Sequence, residues 1–278
     1  MDSNEPSWRY IRQEIAEEYA KPHECPWIVG FSGGKDSTLV THLVIEHMLS
    51  LPRSERRRPV HVVANDTLVE SPLVINHIRR GLVEISSAAT AFDLPVVTAT
   101  TRPSPEQTFW VNLIGRGYPS PNRNFRWCTD RMKIQPTSQY VRSQAKLSGK
   151  VILLLGVRRS ESATRAAMVK RYDNGERLNK HSDLDGCLVF RPIVELSTDR
   201  VWGFLAANRP PWGGSHDRLI KLYRMEILDR LLAIQEETGM ILITDGELAK
   251  IRSLWVTDVL DSAQRNEQAQ LNTAGGGR

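Results

Sequence analysis

The chain has 278 residues, 40% of them hydrophobic and 25% charged, with a net charge of +5. That length supports a substantial core in one large α/β domain or a domain with an appendage, and the composition excludes disordered, fibrous and disulfide-framework classes. No apolar run approaches a membrane span and the polar start Met1-Asp2-Ser3-Asn4-Glu5 does not read as a signal peptide, so no membrane contact and a cytoplasmic location are expected.

In chain order, Trp8, Ile11, Ile15 and Tyr19 fall on one face of a helix predicted over residues 4–20. The apolar run Trp27-Ile28-Val29-Gly30 reads as a buried strand, and Thr38 to Val44 as a helix. Between them lies Phe31-Ser32-Gly33-Gly34-Lys35-Asp36-Ser37. A strand, a Ser/Gly loop and a helix start make a phosphate cradle: glycines let backbone N–H groups approach an anion, and the helix start adds unpaired donors and partial positive charge. Lys35 can reach a phosphate oxygen, Ser32 and Ser37 can donate hydrogen bonds, and Asp36 can hold a divalent metal.

The arginines at 53, 56, 57 and 58 are read as a solvated loop before a second strand, residues 59–64, which ends at Asn65-Asp66-Thr67. A helix over residues 72–92 and a third strand over 94–99 follow. A Pro- and Arg-rich insertion spans 100–136, with Arg116, Arg123, Arg126 and Arg131. Residues 149–156 form a buried strand. A β-hairpin is predicted with arms near 169–172 and 187–193 and a polar tip at 173–176. Helices near 198–207, 218–237 and 245–260 complete the chain, and 263–278 reads as a disordered tail. Short apolar strands alternating with helices predict a parallel sheet covered on both faces, with the loops at Ser32, Asn65 and Val157 converging on one crevice.

The order Ser-Gly-Gly-Lys-Asp-Ser lacks the spacing of the Walker loop and resembles the PP-loop of ATP pyrophosphatases, which release pyrophosphate and leave AMP on a substrate. A second element, Gly156-Val157-Arg158-Arg159-Ser160-Glu161-Ser162-Ala163-Thr164-Arg165, puts a glycine at a strand end and arginines that can fork onto phosphate or sulfate. With Asp66-Thr67, Trp127-Cys128-Thr129, Met132-Lys133 and Pro136, these elements are similar, in order, to the phosphoadenosine phosphosulfate reductase (CysH) superfamily over roughly residues 26–212. Tyr118-Pro119-Ser120-Pro121 and Pro210-Pro211-Trp212-Gly213-Gly214 look most like its DndC branch, which takes part in DNA phosphorothioation. The size and content also resemble the short CysH-like proteins that accompany type IV CRISPR systems.

The resemblance implies an adenine nucleotide α-hydrolase-like domain over 23–212, after an N-terminal helix (1–22) and before a C-terminal helical extension (213–262) and the tail (263–278). It implies ATP bound by Phe31, Ser32, Gly33, Gly34, Lys35, Asp36, Ser37, Asn65, Asp66, Thr67, Gly156 and Arg158. Val62 to Ala64 would border the adenine. Lys35, Asp36, Arg158 and Arg165 are the expected catalytic residues, and Asp36 and Asp66 the expected Mg²⁺ ligands. The expected reaction is ATP to AMP and pyrophosphate, with AMP passed to an acceptor in a nucleic-acid modification or defence setting. A nucleic acid or nucleoprotein partner is compatible with the basic charge, and the oligomeric state is left open, a homodimer included.

The departures are informative. Reductases of this family attack the sulfonucleotide with a cysteine in a C-terminal Glu-Cys-Gly-x-His element, and no cysteine follows Cys187 here. The cysteine-rich segment of DndC-like proteins has no counterpart after Tyr223, so an iron–sulfur cluster is not expected. Cys25, Cys128 and Cys187 are widely spaced, without a Cys-x-x-Cys pair. Cys128 sits at a sulfur-handling position of the family and could be a persulfide carrier, a vestige or a core thiol. Two other functions stand beside the hydrolase: a sulfurtransferase component of DNA phosphorothioation, and a non-catalytic nucleotide-sensing or nucleic-acid-binding subunit.

Overall fold

A computed structural model describes residues 5–23, 25–122, 125–172, 175–244 and 246–251. The chain divides into two compact units, residues 1–220 and 221–278. The sheet lies in the first. The second holds most of a helix, Asp217–Thr238 (α8), and a helical stretch at 246–251. The predicted tail and most of the predicted 245–260 helix lie outside the described residues.

Six strands form one sheet: β1 (Trp27–Gly30), β2 (Val60–Asn65), β3 (Val96–Thr101), β4 (Val151–Leu154), β5 (Leu178–Lys180) and β6 (Cys187–Phe190), in the order β3-β2-β1-β4-β6-β5. All neighbouring pairs are parallel except β5 with β6. Helix α1 (Trp8–Tyr19) precedes the strands, α2 (Lys35–Ser50), α3 (Pro72–Phe92), α4 (Trp127–Thr129), α5 (Gln135–Ser148) and α6 (Ala163–Tyr172) lie between them, and α7 (Thr198–Ala207) follows β6. The chain leaves β1 toward β2 on one side and returns to β4 on the other. That reversal opens a crevice at the carboxyl ends of β1 and β4.

Alternation along the strands sends Ile28, Val63, Val151 and Leu153 to the face covered by Val141 of α5, with Leu184 and Cys187. Trp27, Val29, Ile152 and Leu154 are likewise buried, at alternate positions. Each such side chain contributes about 1.5–3 kcal/mol by leaving water.

Ser7 caps α1 through its Oγ, which accepts from the Tyr10 N–H at 3.1 Å, and Ile11 and Ile15 are fully buried. The arginine run at 53–58 is the solvated loop expected from sequence only in part: Arg53 and Arg57 are exposed, but Arg56 and Arg58 turn inward. Arg58 is buried and donates to the carbonyls of Glu18, Tyr19, Lys21 and Cys25, while Arg56 donates to those of Leu49, Leu51 and Phe92.

The hairpin also differs from expectation. Residues 169–172 finish α6, and the arm facing β6 is β5. Met168 to Tyr172 keep helical hydrogen bonding because no turn chemistry intervenes before residue 173; Asp173 and Asn174 of the expected tip lie outside the described residues. The insertion is more helical than its Pro and Arg content suggests. It holds a wide π turn at Val111–Gly115, and α4 runs through a second π turn, Asp130–Ile134, into α5.

Candidate functional site

The loop after β1 is organised by its own serines. The Ser32 N–H donates to Ser37 Oγ at 3.1 Å, the two hydroxyls lie 3.0 Å apart, and Ser37 Oγ donates to the Gly34 carbonyl at 3.0 Å. Gly33 has φ +70°, and a Cβ there would lie 2.8 Å from Ile78, so glycine is required on both counts. His77 of α3 bonds the Gly33 carbonyl at 3.0 Å, which ties the loop to that helix. Helix α2 begins at Lys35 with Gly34 as its cap, so its first N–H groups and the positive end of its dipole face the crevice. Phe31 is buried beneath the loop.

Two charged residues of the loop are fixed by partners. Lys35 Nζ lies 2.9 Å from Asp36 Oδ2, and Arg158 Nε donates to Asp36 Oδ1 at 2.6 Å. Arg158 is 1% exposed; its remaining nitrogens reach Ser160 Oγ (2.7 Å), the Leu196 carbonyl (3.0 Å) and Thr198 Oγ1 (3.2 Å). Sequence reasoning aimed Arg158 at phosphate. The structure instead places it behind Asp36 as a strut, on acceptors from the 196–198 segment that carry no sequence motif. Gly156 enables this approach: a Cβ there would lie 2.7 Å from the Asp36 carbonyl carbon and 2.9 Å from the Ser37 nitrogen. Arg165 lies one turn into α6, half-exposed, with Nε 3.6 Å from Glu161.

At the end of β2, Asn65 Oδ1 accepts from the hydroxyls of Thr101 and Thr137, joining β2 to β3 and α5. Thr67 donates to Glu70, which pairs with Lys133 at 3.0 Å. Asp66 is 2% exposed. Its Oδ1 accepts the Leu68 N–H at 3.1 Å, and its Oδ2 accepts from Arg79 Nη2 (3.2 Å) and from Arg102 Nε (3.2 Å) and Nη2 (3.1 Å). Burial alone would raise its carboxyl, but the Leu68 N–H and the two arginines outweigh burial and hold it below the ordinary carboxylate value. Leu68 is kept at φ +65°, a sparsely populated conformation for leucine, and half-exposed at the rim. Arg79 and Arg102 were missed from sequence; the available signal was the position of Arg102 at a parallel strand's carboxyl end.

The two predicted metal ligands differ. Each Asp36 oxygen accepts one bond, which leaves a lone pair for a cation. Asp66 Oδ2 already takes three N–H groups, so only its Oδ1, which accepts the Leu68 N–H, keeps a lone pair, and Asp66 is the poorer magnesium ligand of the two.

The three cysteines are dispersed. Cys187 opens β6 and Cys25 precedes β1, at the amino ends of strands, whereas Cys128 lies in α4, ahead of the Thr137 contact at the carboxyl end of β2. Burial pushes the Cys187 thiol up to about 11, which makes it a core group. Cys128 is partly buried beside Trp127, whose ring stacks on Phe109 at 5.5 Å and meets Tyr118 edge-on. No helix among the described residues is long and apolar enough to cross a membrane.

Over residues 26–214 the chain matches the family model described as the phosphoadenosine phosphosulfate reductase domain. No curated protein matches it. Among solved structures it is similar to an NH3-dependent NAD synthetase from Campylobacter jejuni, with 13% identity over 89% of this chain and 93% of that one and a TM-score of 0.45. It is also similar to the U34-tRNA thiolase NcsA from Methanococcus maripaludis (11% identity, 82% and 73% covered, TM-score 0.44). A phosphoadenylyl-sulfate reductase from Candida auris gives 12% identity, 73% and 87% coverage and a TM-score of 0.40.

Proposed function

The chain belongs to the phosphoadenosine phosphosulfate reductase domain family, and on that premise we propose that it cleaves ATP between the α and β phosphates and passes AMP to an acceptor. The observation that carries this reading is the serine-tied loop at the β1/β4 switch point, with Asp36 fixed between Lys35 and Arg158.

In this reading the α2 amides, Ser32 and Ser37 hold the β and γ phosphates. Lys35 neutralises charge that builds on the bridging oxygen as pyrophosphate departs. An acceptor oxygen attacks the α phosphorus, the bond to the β-bridging oxygen breaks, and the acceptor's proton leaves to solvent. Positioning and electrostatics supply most of such catalysis. Asp36 would hold Mg²⁺ with the nucleotide, and that ion would spread charge over the phosphate oxygens. Arg158 fixes the Asp36 carboxylate, and Val62 to Ala64 border the adenine.

The setting we infer is nucleic-acid modification. Six basic residues (Arg102, Arg116, Arg123, Arg126, Arg131 and Lys133) against Glu106 and Asp130 make the 100–136 insertion strongly basic.

The test is incubation with ATP labelled at the α and γ positions, beside Lys35→Ala. AMP and pyrophosphate, lost in the variant, support the reading. ADP and phosphate would overturn it.

A further inference from the structure

Asp66 lies at the carboxyl end of β2, where the resemblance implies a metal ligand, yet its Oδ2 accepts three of the protein's own N–H groups and its Oδ1 accepts a fourth. What the arrangement presents to solvent is the two arginines. The Arg79 and Arg102 side chains are 56% and 57% exposed, while the Asp66 side chain is 3% exposed. One buried carboxylate between two cations leaves a net charge of +1. The other guanidinium donors of both arginines have no partner among the described residues. Long side chains on a surface ordinarily lose entropy when a ligand fixes them; these two are already fixed at one end.

The pair is coupled to the phosphate loop through α3. His77 bonds the Gly33 carbonyl and Ile78 packs against Gly33, so Arg79 is the next residue on the same helix. Arg102 directly follows β3, which is two strands from β1, a lateral distance of roughly 10 Å. The strained Leu68, pinned by Asp66 itself, sits at the same rim.

We propose that Arg79 and Arg102, seated on Asp66, form a second anion site that holds a tetrahedral oxyanion, a phosphate ester or a sulfate, carried by the AMP acceptor. Assignment of that anion to an acceptor rests on the ATP reading above; the site itself does not. Asp66 is a positioning residue here. It orients both guanidinium groups and keeps their forward edges turned away from the protein, the geometry in which arginine binds oxyanions by paired N–H groups.

The test is titration calorimetry with inorganic sulfate, and separately inorganic phosphate, at constant ionic strength on protein saturated with pyrophosphate to fill the loop. A saturable site is expected, weakened roughly tenfold or more by Arg79→Ala or Arg102→Ala and lost in the double variant. It should persist in Lys35→Ala. Tighter binding of phosphate identifies a phosphate ester as the acceptor's group; tighter binding of sulfate identifies a sulfate. Both arginines are exposed, so these variants should fold, and melting temperature checks that. Asp66→Asn should weaken binding although it adds positive charge; tighter binding would overturn the positioning role. No saturable site, or one unchanged in the double variant, would overturn the proposal. Because the readout is binding, failure of wild-type protein to cleave ATP would count against the loop's assignment without altering this result.

Discussion

Arg158 Nε and Asp36 Oδ1 lie 2.6 Å apart although 122 residues separate them in the chain. Both are buried, so the pair sits where an unpartnered charge is most costly. Arg158→Ala should lower stability by about 3–5 kcal/mol, measured by urea unfolding, because the Asp36 carboxylate and the Leu196 carbonyl lose their donor. Arg158→Lys keeps the charge but cannot reach the same four acceptors, and should retain fold while losing most ATP cleavage. Full activity in the lysine variant would remove the strut role.

Gly156→Ala should force β4 and the start of α2 apart, since the new methyl would overlap backbone atoms of Asp36 and Ser37. A cost of about 1–3 kcal/mol and a marked loss of ATP affinity are expected. Gly203, in α7, has open space around it, so Gly203→Ala should be neutral or stabilising by up to about 1 kcal/mol. Calorimetric ATP titrations of the two variants provide the comparison.

All seven histidines are held below their ordinary value, with burial the first cause in each. His42 Nδ1 and His216 Nε2 are 3.3 Å apart; burial, then repulsion from His216, pushes His42 down to about 4, and burial pushes His216 down to about 4. The unfolded chain takes up protons near 6.5 while the folded pair refuses them until about 4. Their contribution is therefore complete above pH 6.5 and declines as pH falls toward 4, by up to about 1.4 kcal/mol per pH unit for each group. Urea midpoints between pH 7.5 and 4.5 should fall steadily, and His42→Gln should flatten the profile. A level wild-type profile would refute this account.

Arg58→Ala should cost about 3 kcal/mol or more, because four backbone carbonyls around residues 18–25 lose a buried donor together. Arg57→Ala should change stability by less than about 0.5 kcal/mol, because among the described residues that side chain reaches only the Ser54 carbonyl, at an exposed site. Thermal melts of the two variants distinguish them.

What could be read before folding was whatever depends on local pattern. Strand β1, helix α3 and helix α7 carry their period and their end signals within the segment, and so does the glycine loop. Side-chain pairing over long distance was invisible. Nothing near Arg158 announces that its guanidinium turns inward to Asp36 and the 196–198 carbonyl and hydroxyl, and nothing near Asp66 announces Arg79 and Arg102. The arginines at 56 and 58 failed for the same reason: charge predicts exposure unless backbone carbonyls converge on it. Helix α5 went unseen because it is entered from an irregular turn, Asp130–Ile134, with Pro136 in its own first turn and no side-chain cap.

That irregular turn sets the angular position of everything before it. A π turn holds one residue more than an α turn, so Asp130–Ile134 acts as a phase shift between α4 and α5. Deleting a single residue there would restore regular pitch and swing Trp127 and Cys128 about 100° around the helix axis. Trp127 would leave Phe109 and Tyr118, and Cys128 would face another quarter of the molecule. A change of spacing by one residue, leaving Trp127, Phe109 and Tyr118 themselves unaltered, would rewire this aromatic cluster.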